Sequence, residues 1–170
     1  DDKDSTPKFQ HDFTAKQALR TRAFWSISIT HTLTNLSVGA VSAHIFFQLT
    51  DPGGVNLSDS SAATIIPIMA ISSFAFQMMG GFLGDRISKR TIVPILILLQ
   101  GVSMVVLALA VGYIGALVFA VVWGIGFGGR TPMLHAMRGD YFGRKHFGVI
   151  LGMSAFPMAM GMMATPVIIG

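Results

Sequence analysis

The chain has 170 residues, of which 52% are hydrophobic and only 12% charged, with a mean hydropathy of +0.63. Soluble domains carry about 25% charged residues, so this composition excludes an ordinary water-soluble domain and indicates a membrane protein. With no cysteine, a disulfide and a cysteine-based metal site are both excluded, and the net charge of +4 must be judged by where the basic residues lie.

Taken in chain order, residues 1–12, DDKDSTPKFQHD, are polar and expected to be loop. FTAKQALRTR follows as a short amphipathic lead-in of helical character, so 1–22 reads as one polar segment. Residues 23–170 then form the membrane part, with five apolar runs at about 23–49, 62–83, 91–111, 114–137 and 147–170. Each approaches or exceeds the ~20 residues that cross ~30 Å of hydrocarbon as a helix. The fold expected is all-α, a polytopic transmembrane bundle of about five spans. The chain opens in a polar tail and closes inside the apolar stretch ATPVIIG, so it is expected to be a piece of a longer polypeptide.

The basic residues orient this bundle. Lys3, Lys8, Lys16, Arg20 and Arg22 precede the first run; Arg86, Lys89 and Arg90 join the second to the third; Arg138, Arg144 and Lys145 join the fourth to the fifth. The opposite loops, TDPGGVNLSDSS and GYIGA, hold no Lys or Arg. Eleven of the twelve basic residues thus share one side, cytoplasmic by the positive-inside rule, as expected of a multi-pass protein of the plasma (inner) membrane. That explains the basic clusters and excludes nucleic acid as the partner they serve. The exception, Arg130, lies within a run.

WGIGFGGRTP contains G-x-G-x-x-G at Gly124, Gly126 and Gly129. A dinucleotide loop needs a strand before it, a helix after it and an acid some 20 residues on; here it sits inside one membrane-length run. Gly124 and Gly128 instead fit G-x-x-x-G, the small-residue spacing at which helix backbones approach closely. Gly80/Gly84 and Gly148/Gly152 repeat it, so all six are expected at helix crossings. Pro67, Pro94, Pro132, Pro157 and Pro166 lie in or near spans, where each either bends a helix or frees a carbonyl toward a cavity.

The loop GGFLGDRISKR resembles the cytoplasmic signature G-x-x-x-D-R-x-G-R-[RK] of the major facilitator superfamily: Gly81, Asp85, Arg86, Lys89 and Arg90 match, and Ser88 stands where the family prefers glycine. RGDYFGRKHFGVILGM and QALRTRAFW are similar to segments of the monocarboxylate and oxalate–formate-like branch. The resemblance implies helices seven to eleven of a twelve-helix transporter, with an N-terminal six-helix bundle elsewhere in the same polypeptide. It also implies that the signature is a conformational latch. From the residues alone, Asp85 can pair with Arg86 or Arg90 or cap a neighbouring helix, or the loop is simply a solvated basic turn.

For a transport site, Arg130 is the first candidate. An arginine inside a span costs at least ~2.5 kcal/mol unless paired or wetted, so it either holds a substrate carboxylate, pairs with Asp85 or Asp140, or snorkels. Ser28, His31, Thr32, Asn35, Gly39 and Ser42 recur at helical spacing as a polar stripe. His31 and Asn35 are its best ligand candidates, against a role in interhelical hydrogen bonds. Gln77 is expected to reach the same cavity, and His44 is either a cavity or an interfacial residue. The spans hold no Asp or Glu, so a proton relay within them would use His31 or His135. Residues 62–83 and 148–170 carry no Lys or Arg, a departure from the resembling branch that leaves Arg130 as the intramembrane cation.

The function expected is secondary transport of a small organic anion, with a proton as possible co-substrate, in contact with the lipid bilayer and without cofactor, metal or enzymatic chemistry. A non-transporting membrane sensor or scaffold on the same bundle is the alternative. It requires Arg130 and the His31–Asn35 stripe to be satisfied internally.

Overall fold

A computed structural model describes the protein from residue 12 to residue 169, apart from the side chains at 85, 161, 162 and 164–169, so the side chains of Asp85 and Pro166 lie outside the description. Among the described residues every regular element is an α-helix: α1 (Ala15–Leu19), α2 (Arg22–Thr50), α3 (Asp59–Arg86), α4 (Lys89–Ala108), α5 (Gly112–Phe142) and α6 (Phe147–Ile169). Asp59–Gly84, Lys89–Ala108 and Gly112–Phe142 are long and apolar enough to cross a membrane. The architecture is an all-α, polytopic bundle. At 29 residues α2 is as long as these, but its Ser, Thr, His and Asn residues lower its apolarity.

Helix ends are set by local chemistry. Thr14 and Gln17 form a capping box at α1: the Gln17 amide donates to Thr14 Oγ1, and Gln17 Oε1 accepts from the Thr14 amide at 2.9 Å. Thr21 caps α2 by accepting from the Phe24 amide, and Ser58 caps α3 by accepting from the Ser61 amide. Asp51 ends α2, and its carboxylate accepts from the Gly53 amide at 2.6 Å, turning the chain toward α3. Only Ile87 and Ser88 separate α3 from α4, so the chain reverses at once between them, and each then packs on α5. Gly143 closes α5 at φ +78°, a left-handed conformation that an L side chain resists.

Helix α5 is the centre. It packs on α3 and α4, while α2 packs mainly on α6. The glycines of α5 make this possible. A Cβ at Gly124 would lie 2.8 Å from the Ser73 amide of α3, and one at Gly128 would overlap the Ser73 carbonyl. On another face, a Cβ at Gly126 would lie 2.7 Å from the Gln100 amide nitrogen of α4. From α3, Gly80 meets the Gly129 carbonyl, with 2.8 Å from its would-be Cβ. Gly84 has ordinary clearance, and at Gly148 and Gly152 nothing lies within 4 Å, so those two face open space rather than a crossing among the described residues.

Buried side chains fall into two apolar clusters at opposite ends of the bundle. Val41, Ile45, Leu49, Ile65, Leu107, Phe119 and Trp123 belong to one. Phe24, Ile27, Val93, Leu96, Met133, Leu134, Phe142 and Ile150 belong to the other.

Gly128→Ala is expected to destabilise the protein by about 1–3 kcal/mol, because its methyl group overpacks on α3. Gly148→Ala should be neutral or gain up to ~1 kcal/mol from helix propensity. Thermal unfolding in detergent, followed by far-UV circular dichroism, compares the two.

Candidate functional site

Between the two apolar clusters the buried residues become polar. Along α2 they run Phe24 and Ile27, then Ser28, His31 and Asn35, then Val41 and Ile45. Along α4, Leu96 gives way to Gln100 and Ser103 before Leu107. From α5 comes Arg130, and further along Arg138. The two arginines are 0% and 1% exposed, the largest fully buried side chains described. Among the described side chains no carboxylate is buried with them.

Arg130 is held on one edge only. Its Nε donates to Gln100 Oε1 at 2.6 Å, and the guanidinium carbon lies 5.5 Å from the centre of the Phe127 ring. Nη1 and Nη2 are both buried and have no hydrogen-bond partner. Gln100 turns its amide nitrogen the other way, donating to Ser37 Oγ at 3.0 Å and to the Thr34 carbonyl at 3.4 Å. The close approach at Gly126, four residues before Arg130, brings the α4 backbone near enough for this contact.

Arg138 belongs to a second contact. Its Nη2 lies 2.9 Å from His31 Nδ1. A guanidinium has donors only, so Nδ1 accepts and the proton of a neutral His31 resides on Nε2. Nη1 of Arg138 reaches the Leu134 carbonyl at 3.5 Å, while its Nε has no partner. The His135 ring meets His31 edge to face at 5.6 Å. His135 also lines a cavity of about 730 Å³ between α3, α5 and the start of α6, along with Lys89, Asp140 and Arg144. This cavity therefore abuts His135, whose ring meets the His31 imidazole of the buried layer.

Residues 23–170 match the sequence model of the Major Facilitator Superfamily. The chain belongs to this superfamily. It is therefore an integral membrane protein of a family of secondary transporters. No curated protein matches it.

In this major facilitator chain the sequence candidates divide. Arg130, His31 and Asn35 share the buried layer, where Asn35 Nδ2 donates to the His31 carbonyl at 2.8 Å and contacts Met158 Sδ at 3.1 Å. Gln77 is not part of that buried layer: it is exposed on α3. His44 lines a separate cavity of about 250 Å³ between α2 and α4, level with the first apolar cluster. Of the signature residues, Gly81 has open space around it, Arg86 stacks on Phe82 at 4.3 Å, and Arg90 lies 5.2 Å from the Tyr141 ring. Lys89 pairs with Asp140 at 2.7 Å, so Asp140 serves the helix ends and not Arg130.

Two residues of the buried layer escape sequence reasoning. Arg138 was expected in the cytoplasmic loop, but α5 continues through Phe142 and carries it inside on the His31 side. Its spacing of eight from Arg130, a net rotation of ~80° that keeps both within one broad buried side of the helix, was the available signal. Gln100 sits in the middle of the 91–111 apolar run, and no local pattern distinguishes it.

His31→Leu should cost about 1.5–3 kcal/mol, because it leaves the buried Arg138 guanidinium with only the long contact to the Leu134 carbonyl. His31→Gln, which restores a carbonyl acceptor, should recover at least ~1 kcal/mol of that loss. Equilibrium unfolding in mixed detergent measures both.

Proposed function

We propose that this chain is part of a secondary transporter for small organic anions, monocarboxylates among them, and that Arg130 holds the substrate carboxylate. One observation carries the reading: a fully buried guanidinium with both terminal nitrogens free, in a layer with no described carboxylate. Two parallel N–H groups on that edge match the two oxygens of a carboxylate. A bound anion supplies the charge and the acceptors that the protein leaves out. The sensor alternative required Arg130 to be satisfied internally, and two of its three nitrogens are not.

The rest of the proposal is arranged around that site. Helices α2 to α6 correspond to spans seven to eleven, α2 and α6 included, and the N-terminal six-helix bundle of the polypeptide forms the opposite wall. Substrate reaches Arg130 from alternate sides as the bundles rock. Basic ends face the cytoplasm, and the Lys89–Asp140 pair beside the signature loop opens and closes with that rocking. His31 couples a proton to the anion. A proton on Nδ1 displaces the Arg138 donor and adds positive charge next to two arginines. An anion offsets that charge, so each ligand strengthens binding of the other.

The test is uptake of labelled lactate, oxalate and glucose by the intact transporter in proteoliposomes, with and without an inward proton gradient. Lactate or oxalate uptake should accelerate with the gradient, and glucose should be excluded. Arg130→Ala should lower anion affinity by about 100-fold or more, the loss of a buried charge-assisted pair. Arg130→Lys should fall between, since a point charge replaces a fork. Glucose uptake, or anion uptake indifferent to Arg130→Ala, would sink the proposal.

A further inference from the structure

We infer that Gln100 is the positioning residue that sets both the aim and the net charge of the Arg130 site, and so selects a single carboxylate approaching end-on. The inference rests on the anion reading above.

Three constraints act on Gln100. Its backbone is wedged against Gly126, whose would-be Cβ lies 2.7 Å from the Gln100 nitrogen and 2.9 Å from its Cα. Its side chain is 2% exposed and spans three helices, giving two donor contacts to α2 and accepting one bond from α5. The acceptors on α2 also fix which end of the amide is which. Ser37 Oγ and the Thr34 carbonyl attract the NH2 group, so the oxygen faces Arg130 Nε.

That arrangement removes one edge of the guanidinium from use. A carboxylate can bind arginine side-on, through Nε and one terminal nitrogen, or end-on, through both terminal nitrogens. Gln100 occupies Nε, and Phe127 lies near the guanidinium carbon, so the end-on fork remains. The acceptor is also neutral. An amide holds the guanidinium in place and leaves its full positive charge for the ligand. A glutamate of the same shape would form an internal ion pair and cancel that charge.

The experiment compares wild type, Gln100→Glu, Gln100→Leu and Arg130→Ala in the intact transporter, reconstituted with labelled lactate and oxalate as probes. Thermal unfolding is measured alongside. Gln100→Glu keeps and strengthens the bond to Nε but gives up the two donor contacts to α2, so it should unfold near the wild-type temperature. Its anion uptake should nevertheless fall by about 100-fold, like that of Arg130→Ala. Gln100→Leu keeps the charge and loses the aim, so KM should rise by about tenfold with kcat less affected. A merely structural role predicts the reverse order, with Glu tolerated and Leu most damaging. Uptake that is sensitive to Arg130→Ala and survives Gln100→Glu overturns this inference alone. Wild-type uptake of neither anion, or uptake indifferent to Arg130→Ala, overturns the anion reading and this inference with it.

Discussion

The distance at which α3 and α4 approach α5 governs the rest of the bundle. Lipid tails are as apolar as leucine, so helices in a bilayer gain little by hiding apolar side chains from them; packing and hydrogen bonds must hold them together. In α5 the packing comes from glycines on different faces. Gly124 and Gly128 admit the Ser72–Ser73 turn of α3, and Gly126 admits Gln100 of α4. A dinucleotide loop and this segment need glycine for the same reason, since both let a backbone come close. Here the approaching group is another helix. Its arrival next to Gly126 puts a neutral acceptor within reach of Arg130, so packing and site chemistry share one residue.

A buried cation without a counter-charge is costly, and a protein selected for stability alone would pair it or remove it. This layer contains two, Arg130 and Arg138, each given neutral partners: an amide oxygen in one case, an imidazole nitrogen and a backbone carbonyl in the other. Neutral partners satisfy part of the hydrogen-bonding capacity and leave the charge intact. Apolar clusters on both sides keep the local dielectric low, which strengthens any charge pairing that does occur there. The same environment that penalises an unpaired cation strengthens its attraction for an anion.

Membrane class, helical fold and the signature loop were legible in the sequence because each is written in contiguous residues. Apolar run lengths, basic loops and the spacing of Gly81, Arg86, Lys89 and Arg90 need no tertiary information. The placement of Arg130 inside the bundle, and the facing of Ser28, His31 and Asn35, followed from helical periodicity and the cost of charge in lipid. What escaped was relational. Gln77 has the composition of a cavity residue and lies exposed between Ser73 and Gly80 of α3, and what meets it there is not written in local spacing. Arg138 was assigned to a loop because charge near a span end ordinarily marks the interface. Gln100 acquires its meaning only from α2 and α5, neither of which is near it in sequence.

The uneven packing of the bundle has a mechanical consequence. Helices α3, α4 and α5 form one tightly meshed block, and α2 leans on α6 more than on that block. The described side-chain hydrogen bonds that stitch the two blocks together are those from Gln100 to Ser37 and Thr34, and from Arg138 to His31. The seam between the blocks is thus fastened by the same few groups that surround the buried charges. Any sliding along that seam has to unfasten them, and an anion held at Arg130, as proposed, would alter how firmly they hold. Cargo and hinge would then be one piece of machinery, with the load gripping the fastener that must let go for it to leave.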